Sequence, residues 1–476
     1  MVLGAATVFA TPAFSEAPKL EAGSPPPGLA GPKAVNGGYV VITSKATAAD
    51  PSWQAVAAVL ARKHQGQTVV FGESPSELAA RLKGDDAPRW ICWVARPEEL
   101  GAKPVAEMHR LARGLDGDPF TDCRWGIVTG GDVTAAARMA EESKPLIVRR
   151  VGASTSFAAD CVESGRWFSE FTAGETWVKE PGKPVRKERG ADDSTASIVR
   201  YLNEEKPDCF ITSGHATELN WEPGYRYRNG HFIQRGGVLT GKALDDSEHE
   251  VNSPNPKVYL PVGNCLMGNI PATNECMALA WMNSGAARQM IGYTVPTWFG
   301  YAGWGVLDYF LEQPGRFTLA EAYLANQLAL EWKLGQADPA LAEKAPAPGT
   351  TAGAGDAAGL LHDRDVTVFY GDPKWEARMA SGPLRWKETL VEGKPGEFTW
   401  TITPQAGDKT FAPVDTNGSQ RGGRPLIAFL PRRCTGATLL EGAQWKPILG
   451  DDFILLPNPG AKEAPPAEIT IRIHVP

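Results

Sequence analysis

Between residues 39 and 149 the sequence alternates short apolar runs with amphipathic stretches, and few architectures accept that order. Tyr39–Thr43, Thr68–Phe71 and Trp90–Val94 are apolar on successive residues, as in strands buried on both faces. Between them, Pro51–His64 carries Trp53, Val56, Val59 and Leu60 on one side of a helix. Ser74-Pro75 opens a second helix reaching Leu82, and a third runs from about Pro104 to Arg113. The acidic turn-rich loop with Asp116, Asp118 and Asp122 leads into a strand ending near Thr129. Asp132 then caps a helix from Val133 to Glu142, before a strand at Pro145–Arg149. This order predicts an α/β fold, a parallel sheet with helices on both faces.

The pattern fades over residues 150–192, where no element can be placed, and returns with a helix from about Asp193 to Leu202. Further on, the sequence predicts helices at Ala272–Ser284, Trp304–Leu311 and Thr318–Leu334, with strands at Arg288–Gly292 and Val366–Tyr370. Residues 335–361 are rich in Ala, Pro and Gly and read as a flexible surface insertion. From about residue 382 the texture changes to short strand-like segments, Phe398–Ile402, Leu426–Leu430, Phe453–Leu456 and Ile469–Ile473, separated by turn residues. The expected division is a signal-like segment at 1–17, a Pro/Gly-rich linker at 18–37 and α/β subdomains at 38–150 and 151–381. An all-β sandwich-like domain follows at 382–476.

A net charge of -7 argues against nucleic acid as a partner. No apolar run approaches the ~20 residues of a membrane-spanning helix. Residues 1–17 resemble the apolar and cleavage regions of a secretory signal without its basic start, so an exported chain and an Ala-rich tail both fit. The exported reading places the protein outside the cell, in the periplasm or at the cell surface. The seven cysteines include no Cys-x-x-Cys pair, which removes the zinc-ribbon and thioredoxin-like readings.

Two stretches carry the chemistry. Asp208-Cys-Phe-Ile-Thr-Ser-Gly-His215 and Lys257-Val-Tyr-Leu-Pro-Val-Gly-Asn-Cys265 are each an apolar run that breaks into small residues and then presents one reactive side chain. In open α/β sheets ligands bind outside the carboxyl ends of the strands. A His at one strand end and a Cys at another supply a base and a nucleophile. Read separately, each is more often a satisfied core residue; together, in Gly-flanked turns, they form a candidate site. The order, His before Cys, differs from that of glutamine amidotransferases and α/β-hydrolases.

That order resembles the caspase-like cysteine peptidases, and the surrounding text is similar to gingipains. The resemblance rests on Tyr39–Thr43, Asp118-Pro119, Asp122, Gly126-Ile-Val, Cys276–Trp281, Ile291-Gly-Tyr293 and Gly371-Asp-Pro373, spread over residues 38–380. It implies a caspase/gingipain-like sheet in two subdomains followed by an Ig-like domain. It also implies peptide-bond hydrolysis through Cys265 and His215, with the backbone N–H groups of Ala216 and Cys265 as oxyanion donors. Trp298, Tyr301 and Trp304 become candidates for a substrate pocket, and Asp160, Glu163 or Glu170 for an acidic partner. No catalytic metal or cofactor is implied. Structural calcium is, with Asp116, Asp118 and Asp122 as its oxygen donors.

The sequence departs from the family at two places: Ala216 stands where Gly usually follows the His, and Asn264 where Ala usually precedes the Cys. A Cβ at a left-handed position costs about 1–2 kcal/mol, part of which Gly214 can absorb. Two other readings stay open. One is an inactive caspase-like scaffold that binds protein or glycan through its aromatic loops and β-domain; the other is an amidase of small substrates.

Overall fold

The computed structural model describes residues 38–350, 355–460 and 467–476. The signal-like segment, the linker and the middle of the Ala/Pro/Gly-rich insertion lie outside them.

The apolar runs form one twelve-stranded sheet. From one edge its strands are Gln67–Phe71, Tyr39–Ser44, Trp90–Val94, Arg124–Val128, Thr367–Tyr370, Ala287–Tyr293, Lys257–Pro261, Cys209–Thr212, Arg150–Ser154, Ser164–Phe168, Glu175–Lys179 and Arg186–Arg189. The first five run parallel, as do the next five. The two sets meet at one antiparallel pair, Thr367–Tyr370 against Ala287–Tyr293. The sheet is therefore mostly parallel, not parallel throughout, and its halves point their carboxyl ends to opposite edges. The join beside Arg124–Val128 is tight: a Cβ on Gly126 would sit 2.4 Å from the Gly371 carbonyl oxygen.

Local chemistry sets the helices. Asp50 accepts the N–H of Ser52 at 2.9 Å and starts Pro51–His64 with Pro at its first position. Asp132 accepts the N–H of Ala135 at 2.8 Å and starts Val133–Glu141. Thr318 and Glu321 form a reciprocal capping box at the head of Leu319–Ala337, a helix buried along most of its length.

Three regions differ from expectation. Residues 164–189 form an antiparallel meander at the sheet edge, and its polar, half-exposed strands explain why no apolar run marks them. The stretch between His215 and Lys257, whose polar, Gly- and Asn-rich sequence reads as a loop, is a small antiparallel sheet of Asn220–Trp221, His231–Arg235, Val238–Lys242 and Glu248–Glu250. Within the supposed insertion, Asp356–Arg364 is a helix with Leu360 and Leu361 buried.

The C-terminal residues form two facing sheets. One holds Trp386–Glu392, Glu397–Pro404, Ile469–His474 and Thr438–Glu441; the other holds Leu426–Phe429, Phe453–Leu456 and Ile448–Leu449. Phe398, Trp400, Ile402 and Ile471 share a core with Leu426, Ile454 and Leu456. This β unit is bound to the α/β body through Asp308, whose carboxylate accepts from Arg421 and Arg424, each at 2.8 Å.

Candidate active site

Cys209–Thr212 and Lys257–Pro261 are neighbouring parallel strands with Thr212 opposite Pro261. The chain thus leaves both at the same sheet edge, His215 three residues beyond one strand and Cys265 four beyond the other. Gly214 has φ +91°, which lets the chain turn directly before the His, and Leu266 has φ +59° directly after the Cys. The two turns touch: a Cβ on Gly263 would lie 3.0 Å from Ser213 Cβ and 3.0 Å from the Trp304 ring.

A buried polar staple also joins them. The Thr212 hydroxyl donates to Asn264 Oδ1 at 2.6 Å, and Asn264 Nδ2 donates to the Gly214 carbonyl at 3.0 Å. The residue before Cys265 therefore grips the residue before His215.

The His215 imidazole is exposed and stacks on Tyr225, ring centroids 5.4 Å apart. The Cys265 thiol is half-buried and points to the Thr297 carbonyl at 3.7 Å. Thiol and imidazole are not hydrogen-bonded to each other. Burial pushes up the thiols of Cys92, Cys123, Cys161, Cys209, Cys276 and Cys434, Cys161 to about 12 and Cys276 to about 11.

Ala216 is extended and bridges Trp221, not left-handed, so the expected Cβ strain does not arise. The bonds flanking that bridge are Glu222 N–H to His215 O and Thr217 N–H to Asn220 O. This makes Ala216–Trp221 a non-hydrogen-bonded pair, whose N–H points away from the ladder. Among the described residues, neither the Ala216 nor the Cys265 N–H has an internal acceptor.

Of the three carboxylates considered, Glu163 pairs with Arg149 on the surface and Asp160 is exposed. Glu170 is buried beneath the His turn: Ser213 donates to it at 2.5 Å and Thr155 at 2.7 Å. Its backbone carbonyl accepts the N–H of Tyr225 at 2.7 Å. Burial raises its carboxyl. None of the three is hydrogen-bonded to His215; Glu170 instead supports it through Ser213 and Tyr225.

The three proposed pocket aromatics separate. Trp298, beside Thr297, is 47% exposed. Tyr301 is buried under Arg424, 3.6 Å from guanidinium carbon to ring centroid, and cannot line a pocket. Trp304 is also buried, packed between Gly263 and Gly418 as a floor beneath the Cys turn. Three other exposed apolar side chains lie in segments around the His turn: Phe171, Leu219 and Tyr225. The Phe171 and Tyr225 rings meet edge to face at 6.0 Å.

At a separate place, Asp116, Asp118 and Asp122 each offer a carboxylate oxygen within 4.8 Å of the others. Arg433 approaches Asp116 at 3.6 Å and Asp122 at 3.9 Å. Burial raises Asp118 to about 6, and burial with the Asp116 contact raises Asp122.

Fold and site together define a mixed α/β protein with a thiol and an imidazole on adjacent strand tips. Among solved structures, the chain is similar to the Arg-specific cysteine proteinase gingipain R, with TM-score 0.44 and 12% identity, covering 90% of this chain and 92% of that one. No protein-family model matches the sequence, and no curated protein does.

Sequence reasoning missed the staple of Thr212 and Asn264 and the hub at Glu170. The available signal was the run of polar residues, Thr212 and Ser213, ending an otherwise apolar strand: polar groups buried there need partners.

Proposed function

We propose that the chain is a cysteine-type endopeptidase with Cys265 as nucleophile and His215 as general acid–base. The arrangement at the sheet edge supports it: two reactive side chains on paired strand tips, with two unclaimed N–H groups beside them. In this reading the thiol gives its proton to His215 and the sulfur attacks the peptide carbonyl carbon. The N–H groups of Cys265 and Ala216 receive the developing oxyanion. The C–N bond breaks as the imidazolium protonates the leaving amine, and water, deprotonated by His215, then hydrolyses the thioester. The exposed Phe171, Tyr225 and Trp298 favour substrates with bulky apolar side chains near the scissile bond. No cofactor enters these steps. A structural Ca²⁺ would find hard oxygen donors at Asp116, Asp118 and Asp122, where Arg433 already supplies one positive charge.

Incubation with a mixed peptide library tests the proposal. The wild-type chain is expected to cleave it, and Cys265→Ala to lose at least about 10³-fold in rate while keeping its melting temperature. A wild-type chain without turnover would sink the enzyme reading.

Two observations favour a second reading, an inactive scaffold that binds polypeptide through the same face. Cys265 bonds to Thr297 rather than His215, and among the described residues no carboxylate is hydrogen-bonded to the imidazole. Peptides retained equally by wild type and Cys265→Ala, without cleavage, would establish it.

A further inference from the structure

We infer that Asn264 is a positioning residue that holds His215 and Cys265 in register; this rests on the peptidase reading. The Asn264 side chain is completely buried and bonded at both ends to the neighbouring turn. Its orientation is fixed by chemistry. The Gly214 carbonyl can only accept, so Nδ2 must face it. The Thr212 hydroxyl can donate or accept, and the remaining Asn264 atom is an acceptor, so Thr212 donates. Thr212 has one proton, so the Tyr259 hydroxyl at 3.0 Å must donate to it in turn. Tyr259 is anchored by stacking on Trp281 at 3.7 Å. A directed chain thus runs Tyr259, Thr212, Asn264, Gly214 and ends on the peptide that aims His215.

The need for this clamp is local. Gly214 has no side chain, sits at φ +91° and accepts from no other side chain among the described residues. Without Asn264 the His turn keeps its attachments at Ser213 and Tyr225, but loses its hydrogen bonds to the Cys turn. The link also lies one residue from each reacting group, so a small displacement changes the approach of imidazole to sulfur. Ionised aspartate has the right size but only acceptors, and would face the Gly214 carbonyl with an unmatched oxygen.

The test compares the full-length wild type with Asn264→Asp, Asn264→Ala and Thr212→Val. Measurements are kcat and KM on a library-derived peptide, iodoacetamide labelling of each thiol at neutral pH by mass spectrometry, and thermal unfolding. The expected result for Asn264→Asp is a fall in kcat of about tenfold or more with KM within about twofold, and loss of the preferential labelling of Cys265. Tyr259→Phe, which removes only the outermost bond, is expected to lower kcat less than Asn264→Asp does. Should neither Asn264 variant fold, Thr212→Val, which leaves the Gly214 bond in place, is expected to lower kcat more than Tyr259→Phe does. If folded variants lose melting temperature but keep wild-type kcat and labelling, Asn264 is purely structural and the inference is overturned. If the wild type itself shows neither turnover nor preferential labelling of Cys265, the peptidase reading falls first and takes this one with it.

Discussion

The Cα of Gly263 leaves little space for a side chain. A methyl group there would press on Ser213 and on the Trp304 ring at 3.0 Å, a separation tighter than ordinary contact. Trp304 cannot retreat, because its indole lies against Gly418, where an added Cβ would fall at 2.6 Å. Gly263→Ala is therefore expected to push the Cys turn away from the His turn. The cost in stability should be about 1–3 kcal/mol, as for other overpacked sites, and turnover should fall further than that loss explains. Urea denaturation beside kcat on the same preparation checks this; unchanged kcat would show that the turns tolerate the shift. At this scale the sequence exposed the two reactive residues, because each ends an apolar run in small residues. It did not expose Asn264 as a clamp, since that depends on Thr212 and Gly214, some fifty positions away.

Elements with their own periodicity were legible: the buried strands from Tyr39 to Val128 and the helices capped by Asp50, Asp132 and Thr318 all lie where the pattern placed them. Elements defined by pairing were not. The meander after Ser164 and the small sheet after Trp221 are polar on one face and turn-rich, so they look like loops until a partner strand is known. The Tyr301–Phe310 helix shows another limit. It reads as an apolar core helix, yet it carries buried Asp308, which accepts from Arg421, Arg424 and the Gly422 N–H. Those arginines come from the C-terminal β unit. Asp308→Ala would leave two buried guanidinium groups without this partner, and the expected loss is about 3–5 kcal/mol. Limited proteolysis should then cut first in residues 413–424, the segment that Asp308 fastens. Equal protease resistance in mutant and wild type would count against this role.

Over the whole molecule, buried carboxyl groups set how stability responds to pH. Burial raises Glu331 and Asp363 to about 7 and Asp118 to about 6. Asp365 goes the other way: burial opposes its charge, but Arg113 and Arg364 beside it overcome that and hold it low. Arg113 explains the split, lying 2.7 Å from Asp365 and 3.7 Å from Glu331. Asp372 is likewise held low, its burial outweighed by His64 and Lys63. For the raised groups the folded state binds more protons than the unfolded chain between the two pKa values. Their contribution is complete below the unfolded value and is lost as pH rises through the folded one. For Glu331 that window runs from 4.5 to about 7, worth on the order of 3 kcal/mol. For the lowered groups the contribution is present above 3.8 and lost as pH falls below it. The two trends place maximum stability near the unfolded carboxyl values themselves, at about pH 4. The melting temperature is therefore expected to fall from pH 5 to about pH 7, the three raised carboxyls outweighing the opposite contribution of His109, whose imidazole burial lowers to about 4. Glu331→Gln keeps an acceptor for Thr121 and removes the titration, so it should flatten the slope between pH 5 and pH 7. A melting temperature that rises over that interval, or a slope the variant leaves untouched, would mean that these carboxyls are ionised in the folded protein.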